Sequence, residues 1–268
     1  MGSRQQAEQI TTRIWQEEPE PGNPYAAKAA WCHGYDVYSG MLGHARWVEM
    51  LYLLFRGEAP TSRQAELLEA LAVALANPGP RDPAVHAAMC GGVGGSTAAA
   101  CLIAALAVGA GQSTGSREVF GTMKMWQKCG CHLGAWQDCL QKPADTRMSI
   151  WPATGHPPGF DPHGNSTAGI VNNTLACLAR LSSGARLPWL MTNRPHLEAA
   201  AERPLTMGGV AAAALADLGF TPEEGEMLYL LLRLPGAAAH ALEQHACGHK
   251  KFPFFQIEIE NDPAQGVS

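Results

Sequence analysis

The amino-acid sequence predicts an all-α protein. Apolar residues recur at helical spacing through most of the chain, as Trp47, Leu51 and Phe55 do. Clusters of glycine and proline, such as residues 77–80, separate these segments and mark turns between helices. Alternation at strand spacing is confined to residues 254–260. We therefore expect a nearly all-helical fold.

The first part of the chain lacks this helical pattern. Residues 1–30 are polar and carry prolines between Glu17 and Pro24, which predicts a poorly packed arm or a strap across a partner. Residues 33–36 are expected to form a turn. The helices predicted beyond them cover residues 45–56, 64–76, 82–89, 96–108, 116–129, 135–141, 167–181, 188–193, 196–202, 207–218, 222–233 and 236–245.

Several of these helix boundaries have recognisable chemistry. Gly57 ends one helix, and a hydroxyl residue at 61–62 caps the next. A later helix begins with Thr221 as a hydroxyl cap and Pro222 in the first helical position. Pro235 is expected to break that helix, because a proline lacks the N–H that the helix interior needs.

Two helical segments, 96–108 and 207–218, are rich in alanine and nearly lack a polar face, so we expect both to be buried. The glycines of residues 91–95 are expected to interrupt the third helix. They do not predict a phosphate-binding loop, because no strand precedes them and no Lys-Ser or Lys-Thr pair follows. Close packing between helices explains these glycines better.

The composition excludes some classes of function. A net charge of −5, with 16% charged residues, argues against a protein that binds a nucleic-acid backbone. No apolar run is long enough to span a membrane, and residues 1–9 lack the apolar core of a secretory signal. The cysteines stand mostly singly in helical segments, and Cys129-Gly130-Cys131-His132 has no second pair, so we expect no metal site. These features favour a reduced, cytoplasmic protein.

The segment with the most unusual composition is residues 155–164, Gly-His-Pro-Pro-Gly-Phe-Asp-Pro-His-Gly. Its prolines and glycines exclude the interior of a helix or strand, so it must be a shaped loop. A loop that brings imidazole and carboxylate groups together can perform acid–base chemistry on a carbonyl or thioester substrate. The alternative is a solvated turn between two helices.

Three groups of motifs resemble the citrate synthase superfamily, in order, from about residue 30 to residue 250. The N-terminal group is Gly34-Tyr35-Asp36, Trp47-Val48-Glu49 and Leu53 to Thr61. The second is Gly155-His156 followed by Asp161-Pro162. The third comprises Gly208-Gly209-Val210, Gly236 and Ala239 to Gln244, which resemble the C-terminal helices of citryl-CoA lyases and of the lyase module of ATP-citrate lyase.

The resemblance implies a citrate-synthase-like two-domain helical fold that forms an obligate dimer or a higher homo-oligomer. Residues 1–116 and 206–268 would form the large domain, and residues 117–205 a smaller lid. It also implies chemistry on a CoA thioester and a di- or tricarboxylate, with CoA as substrate or product and no bound cofactor. No nucleic-acid or membrane partner is implied.

The catalytic residues that the resemblance implies are His156, Asp161 and Asp82. His156 matches the histidine that binds the substrate carbonyl, while Asp161 or Asp82 would be the base. This chain departs from the family pattern at residues 203–210, which contain no acid where the family's aspartate precedes Gly-Val. The nearest acid there is Glu202.

The implied substrate-binding residues also depart from the pattern. His163 stands where many members have an arginine, and an imidazole lacks the forked geometry of a guanidinium. Gln112 and Ser113 replace the histidine of a Gly-x-x-His-Gly-Gly motif, and would donate to the thioester oxygen together with Arg117 nearby. His86 is displaced from the Asp-His-Gly-Pro region of the lyases. The loop residues Gly155, Pro157 and Gly159 are expected to contact the CoA moiety.

Three functions follow from this resemblance. The first is cleavage of citryl-CoA, or of a related 3-hydroxyacyl-CoA, to acetyl-CoA and a keto acid such as oxaloacetate. The second is the reverse type of reaction, condensation of an acyl-CoA with a keto acid. The third is a paralogue that kept the fold, lost the base, and binds a CoA ligand without catalysis.

Overall fold

A computed structural model of the protein describes residues 11–141 and 156–251. Within these residues, a small antiparallel sheet precedes ten α-helices. The helices are α1 (Trp47–Arg56), α2 (Ser62–Leu75), α3 (Pro83–Val93), α4 (Ala98–Gly109), α5 (Ser116–Cys129), α6 (Leu133–Gln141), α7 (Gly169–Leu181), α8 (Arg186–Ala201), α9 (Met207–Asp217) and α10 (Pro222–Cys247). The prediction of a mainly helical protein is confirmed. The strand predicted at 254–260 lies outside the described residues.

The N-terminal segment, predicted as a poorly packed arm or a strap across a partner, contains strands that the sequence analysis did not predict, so the protein is not purely all-α. The strands β1 (Trp15–Glu20), β2 (Asn23–Cys32) and β3 (Tyr35–Asp36) form an antiparallel sheet in that order. Almost all of β1 is exposed on both faces, so its sequence has no apolar alternation that could reveal a strand. The predicted turn is present at His33 and Gly34, whose φ angles are 47° and 87°.

The helix caps that the sequence predicts are observed. Gly57 ends α1 in a left-handed conformation with φ of 75°. Thr61 caps α2: its hydroxyl oxygen accepts a hydrogen bond from the Gln64 amide, and the Gln64 side chain accepts one from the Thr61 amide. This reciprocal pair satisfies two amides that a helix N-terminus otherwise leaves without partners.

The predicted helix breaks were wrong, because helices continue through glycine and proline where their apolar faces are buried. Two separate helices were expected around Pro195, but α8 runs through it, with Leu190 and Leu197 both buried. Pro235 likewise lies inside α10. The helix α3 runs through Gly92, where a side chain would overlap the carbonyl oxygen of Ala241. Packing therefore outweighs the local preference to end the helix.

The chain divides into two compact units, each with its own core. The first unit contains residues 1–76 and 110–232, and its described helices α2, α5, α7 and α8 pack around α9. The second contains residues 77–109 and 233–268, where α3 and α4 form a helical hairpin. The predicted burial of α9 is confirmed. The predicted division into a large domain and a lid at residues 117–205 stays a prediction.

The predicted burial of α4 is only partly correct. Cys101 and Ala105 lie in the small core of the second unit. On another face of α4, the Ile103 side chain is 64% exposed and Val108 is 44% exposed. A helix without charged residues therefore has an apolar face that is exposed in the described part of the chain.

Candidate active site

The loop that begins at His156 is held against the segment before α9. The Asp161 amide donates to the Pro204 carbonyl oxygen at 2.8 Å, and the Thr206 amide donates to the Gly159 carbonyl oxygen at 2.9 Å. The Phe160 side chain, 2% exposed, is buried between these bonds. The prediction of a shaped loop is confirmed for residues 156–164, while Gly155 lies outside the described residues.

Gly159 is the residue on which the shape of this loop depends. Its φ of +87° lies in the left-handed region, which residues with a side chain rarely adopt. A Cβ there would lie 2.9 Å from Thr122 Oγ1 and 3.2 Å from the Gly209 Cα. Its amide donates a hydrogen bond to Glu118, and its carbonyl oxygen accepts one from the Thr206 amide. Its predicted contact with CoA, like that of half-buried Pro157, stays a prediction.

A buried carboxylate that the sequence analysis missed, Glu118, lies next to His156. The distance from His156 Nε2 to Glu118 Oε1 is 3.8 Å, and the two side chains are 3% and 4% exposed. The Gly159 amide donates to Oε1 at 3.0 Å, and the Thr114 amide donates to Oε2 at 2.9 Å. The site therefore contains an imidazole and a carboxyl group in a largely water-free environment.

The environment of Glu118 favours its neutral form. Burial raises the pKa of this carboxyl above its ordinary value of 4.5, although the Gly159 amide and the nearby His156 act in the opposite direction. The negative charge of Asp161 raises this pKa further. A buried carboxyl group with a raised pKa, next to a histidine, is a common feature of sites that transfer protons.

Asp161 belongs to the same cluster of titratable groups. It is half-buried, and its Oδ1 accepts a hydrogen bond from the His163 amide at 2.9 Å, which closes a small turn. The side chain of His163 is exposed. The structure therefore brings together His156, Glu118 and Asp161, of which the sequence analysis predicted the first and the third.

The signal that could have identified Glu118 is ambiguous in the sequence. It stands in the first turn of α5, where acids often stabilise the helix dipole and need no other explanation. Its burial depends on the loop that contains Gly159, which is 41 residues away in the chain. Periodicity and capping rules do not report such a contact.

The other residues predicted around α5 are exposed. Gln112 and Ser113 lie in the loop before this helix. Arg117 forms an ion pair with Glu226 at 3.0 Å and stacks on the Phe120 ring at 3.9 Å. These groups are accessible to a ligand, and their roles stay predictions.

Asp82 and His86 belong to the second unit. Asp82 caps α3: its Oδ1 accepts hydrogen bonds from the amides of Ala84 and Val85, at 3.0 and 3.4 Å. Its Oδ2 accepts a hydrogen bond from the Arg233 guanidinium. His86 is exposed on α3. The structure thus gives Asp82 partners that account for its charge without a substrate, and its role as a base stays a prediction.

In residues 11–141 and 156–251, no three His, Cys, Asp or Glu side chains are grouped as ligands of a metal ion would be. No helix in this part of the chain is both long and apolar enough to cross a membrane.

Comparison with known proteins gives no match to a family model and none to a curated protein. Solved structures do match. Citryl-CoA lyase from Hydrogenobacter thermophilus aligns with a TM-score of 0.66 and 17% identity, over 97% of this chain and 99% of that chain. Citrate synthase from Thermotoga maritima aligns with a TM-score of 0.52 and 16% identity, over 82% of this chain and 61% of that chain.

A third match is ATP citrate lyase from Methanothrix soehngenii, in complex with citrate and coenzyme A. It aligns with a TM-score of 0.71 and 16% identity, over 97% of this chain but only 43% of that chain. The protein therefore has the fold of the citrate synthase superfamily, as the motifs predict. Within that fold, its structural neighbours include a citryl-CoA lyase that it matches over nearly the full length of both chains.

Proposed function

We propose that this protein acts on a CoA thioester of a di- or tricarboxylic acid, and that it cleaves citryl-CoA to acetyl-CoA and a keto acid such as oxaloacetate. The observation that supports this most is the buried pair formed by His156, at the start of the described loop, and Glu118 on α5. The fold agrees with this proposal, because the structure of a citryl-CoA lyase aligns with 97% of the length of this chain, at 17% sequence identity.

Cleavage of citryl-CoA needs two functional groups. A base removes the proton from the tertiary hydroxyl, the carbon–carbon bond breaks, and the electron pair leaves as the enolate of the acetyl thioester. That enolate then takes up a proton at carbon to give acetyl-CoA. A hydrogen-bond donor near the thioester oxygen stabilises the negative charge while it exists. Base and donor must therefore lie on opposite sides of the bond that breaks.

The proposed roles follow from exposure and charge. His156 would hold the hydroxyl oxygen. Asp161, which is half-buried and accepts a hydrogen bond from the His163 amide, would take the proton. Gln112 and Ser113 are exposed before α5 and would donate to the thioester oxygen. Asp82 is less suited to the role of base, because Arg233 already pairs with its carboxylate.

A second candidate function is binding of a CoA ligand without catalysis. The observation that favours it is the start of α9, where Thr206 caps the helix and the following turn contains no acid. Glu202, the nearest upstream acid, is exposed at the end of α8. Condensation in the reverse direction would use the same residues as cleavage.

The test is an assay of acetyl-CoA formation from citryl-CoA, with the wild type and His156→Ala in parallel. We expect turnover by the wild type and a loss of about 100-fold or more in the variant. His196→Ala is the matched control, since it removes an exposed imidazole on α8 that has no predicted role in the site. CoA-thioester binding without turnover would favour the binding function, and absence of binding would refute both.

We also propose that the protein is a homodimer in which the exposed face of α4 meets a second copy. This face is apolar and uncharged, with Ile103 64% exposed. Ile103→Glu should convert a dimer to a monomer in sedimentation equilibrium. Val73→Glu is the control, because Val73 is 72% exposed on α2 without such a surrounding face. A wild type that sediments as a monomer would refute this proposal.

A further inference from the structure

Glu118 connects two loops that are far apart in the chain. Its Oε2 accepts a hydrogen bond from the Thr114 amide at 2.9 Å, in the loop that precedes α5. Its Oε1 accepts one from the Gly159 amide at 3.0 Å, in the loop that begins at His156. The first loop carries the predicted donors to the thioester, and the second carries the predicted acid–base groups. One carboxyl group therefore fixes the position of each loop relative to the other.

The backbone of Thr114 supports this interpretation. Its φ is +60°, in the left-handed region. That conformation is unfavourable for a β-branched residue and usually marks a turn or strain that surrounding contacts maintain. The Thr114 amide, in this conformation, donates to Glu118. The bond to Glu118 is thus one contact that maintains the unusual shape of this loop.

The position of His156 depends on the same carboxyl group. Its Nε2 lies 3.8 Å from the Oε1 atom that also accepts the Gly159 amide. The side chains of both residues are almost fully buried, so water does not compete strongly for this interaction. Among the described residues, the charged or titratable groups that act on the pKa of Glu118 include His156 and Asp161, both from the second loop.

We propose that Glu118 is a positioning residue, which holds the two loops and His156 in one arrangement so that they act on the substrate together. This inference rests on the proposed function for its catalytic consequence. Its structural part, the connection between the loops, does not depend on the identity of the substrate. The two parts can therefore be tested separately.

The structural part is tested by hydrogen exchange in Glu118→Gln. Glutamine keeps the volume of the side chain but offers one acceptor oxygen in place of two, so one amide loses its partner and the loops lose their common attachment. We expect exchange to accelerate about tenfold or more at both Thr114 and Gly159. The control, Glu223→Gln, removes a carboxylate that pairs with Lys124 on the exposed side of α5, and should leave both rates unchanged.

The catalytic part is tested by kinetics on the same variants. Glu118→Gln should lower kcat for citryl-CoA about tenfold or more with a smaller change in KM, because misplaced groups affect the reaction more than binding. The pH profile of kcat should also lose the limb that belongs to Glu118, which a residue with only a structural role would not change. Glu223→Gln should retain the wild-type profile.

Each outcome decides the proposal. Accelerated exchange in both loops supports the connection even if the wild type does not cleave citryl-CoA, which would refute only the proposed function. Acceleration in one loop alone, or in neither, overturns the connection. Accelerated exchange with an unchanged kcat and pH profile overturns the positioning role. If Glu118→Gln does not fold, Glu118→Asp provides the test, because a carboxylate on a side chain shorter by one methylene cannot reach both amides and should accelerate exchange at Thr114 and Gly159.

Discussion

The buried acid Glu118 and the partly buried acid Asp82 both have basic partners, and the partners differ in kind. Glu118 lies 3.8 Å from His156, with side chains 4% and 3% exposed. Asp82 pairs with Arg233, with side chains 12% and 8% exposed. A guanidinium keeps its proton throughout the ordinary pH range, whereas an imidazole gains and loses one near neutral pH. The partner of Asp82 is therefore a permanent cation, whereas the partner of Glu118 is a group of the type that transfers protons.

The two acids also differ in their other hydrogen bonds. Asp82 also accepts hydrogen bonds from two amides in the first turn of α3, so its carboxylate has several partners within the second unit. The Glu118 carboxyl group accepts hydrogen bonds from amides of two different loops, and burial raises its pKa. The motif resemblance implied Asp82 and missed Glu118; the surroundings of Glu118 fit the positioning role proposed for it, and the role of Asp82 as a base stays a prediction.

The largest expected effect is on stability, in Arg233→Met. Removal of the guanidinium leaves the buried Asp82 carboxylate without its charged partner, which should lower the free energy of unfolding by about 3–5 kcal/mol. Urea denaturation measures this. Arg117→Met, which removes an arginine from an ion pair with a 47% exposed side chain, should change stability by less than about 1 kcal/mol.

The same variant can break the comparison. If Arg233→Met remains as stable as the wild type but loses citryl-CoA cleavage, then Asp82 acts in the reaction, as the motifs imply, and the pair is not merely structural. The double variant Asp82→Asn/Arg233→Met should recover most of the lost stability, because it removes the isolated charge and keeps a side chain that can cap α3.

Gly159→Ala should have the next largest effect, and it acts on the first pair. The new methyl group must enter a left-handed conformation against Thr122, which should destabilise the protein by about 2–4 kcal/mol. The displaced amide would no longer donate to Glu118. Thermal denaturation and acetyl-CoA formation should both show the loss.

The control for this substitution is Gly134→Ala in α6. No atom lies within 4 Å of a Cβ built at Gly134, and its φ is not positive. Alanine there should stabilise the protein by about 0.5–1 kcal/mol, because glycine is a poor helix former. Equal effects at the two positions would contradict the role assigned to Gly159.

A feature of the fold could be predicted from the sequence when residues near it in the chain determine it, and could not when distant residues do. The caps of α1 and α2 depend on neighbouring residues, and Gly57 and Thr61 predicted them correctly. The shape of the loop after His156 follows from its own prolines and glycines. The ends of α8 and α10 did not follow from Pro195 and Pro235, because burial of distant apolar residues decides whether a helix continues.

The site divides in the same way. The resemblance placed His156 and Asp161 in one loop, and the structure brings them together with Glu118. Glu118 itself could not be assigned, because an acid in the first turn of a helix has a local explanation. The contacts with the Gly159 amide and with His156, between distant parts of the chain, distinguish it from an ordinary capping acid.

A third prediction concerns pH and sharpens the comparison between the two pairs. The folded-state pKa of Glu118 lies above its ordinary value of 4.5, so between these two values the folded protein binds a proton that the unfolded chain has released. Stability contributed by this proton is present below pH 4.5 and is lost as the pH rises through the folded-state pKa. The loss cannot exceed about 1.4 kcal/mol for each pH unit in that window.

Urea denaturation of the wild type and Glu118→Gln over a series of pH values measures this contribution. As the pH rises, the wild type should lose stability relative to Glu118→Gln. Above the folded-state pKa, the difference between their free energies of unfolding should become constant. A difference that does not vary with pH would show that Glu118 keeps its ordinary pKa, and the contrast with Asp82 would then disappear.

The smallest expected effect is that of Glu224→Gln, at a half-buried pair that resembles neither of the two. Arg56 lies 3.5 Å from Glu224, with side chains 28% and 24% exposed, so water screens much of their attraction. Glutamine can still accept the Thr221 amide, which Glu224 binds at 2.8 Å at the start of α10. The free energy of unfolding should therefore change by less than about 1 kcal/mol. A larger decrease in the free energy of unfolding would mean that partial exposure does not weaken ion pairs in this protein. Low exposure would then not distinguish Glu118 and Asp82 from Glu224.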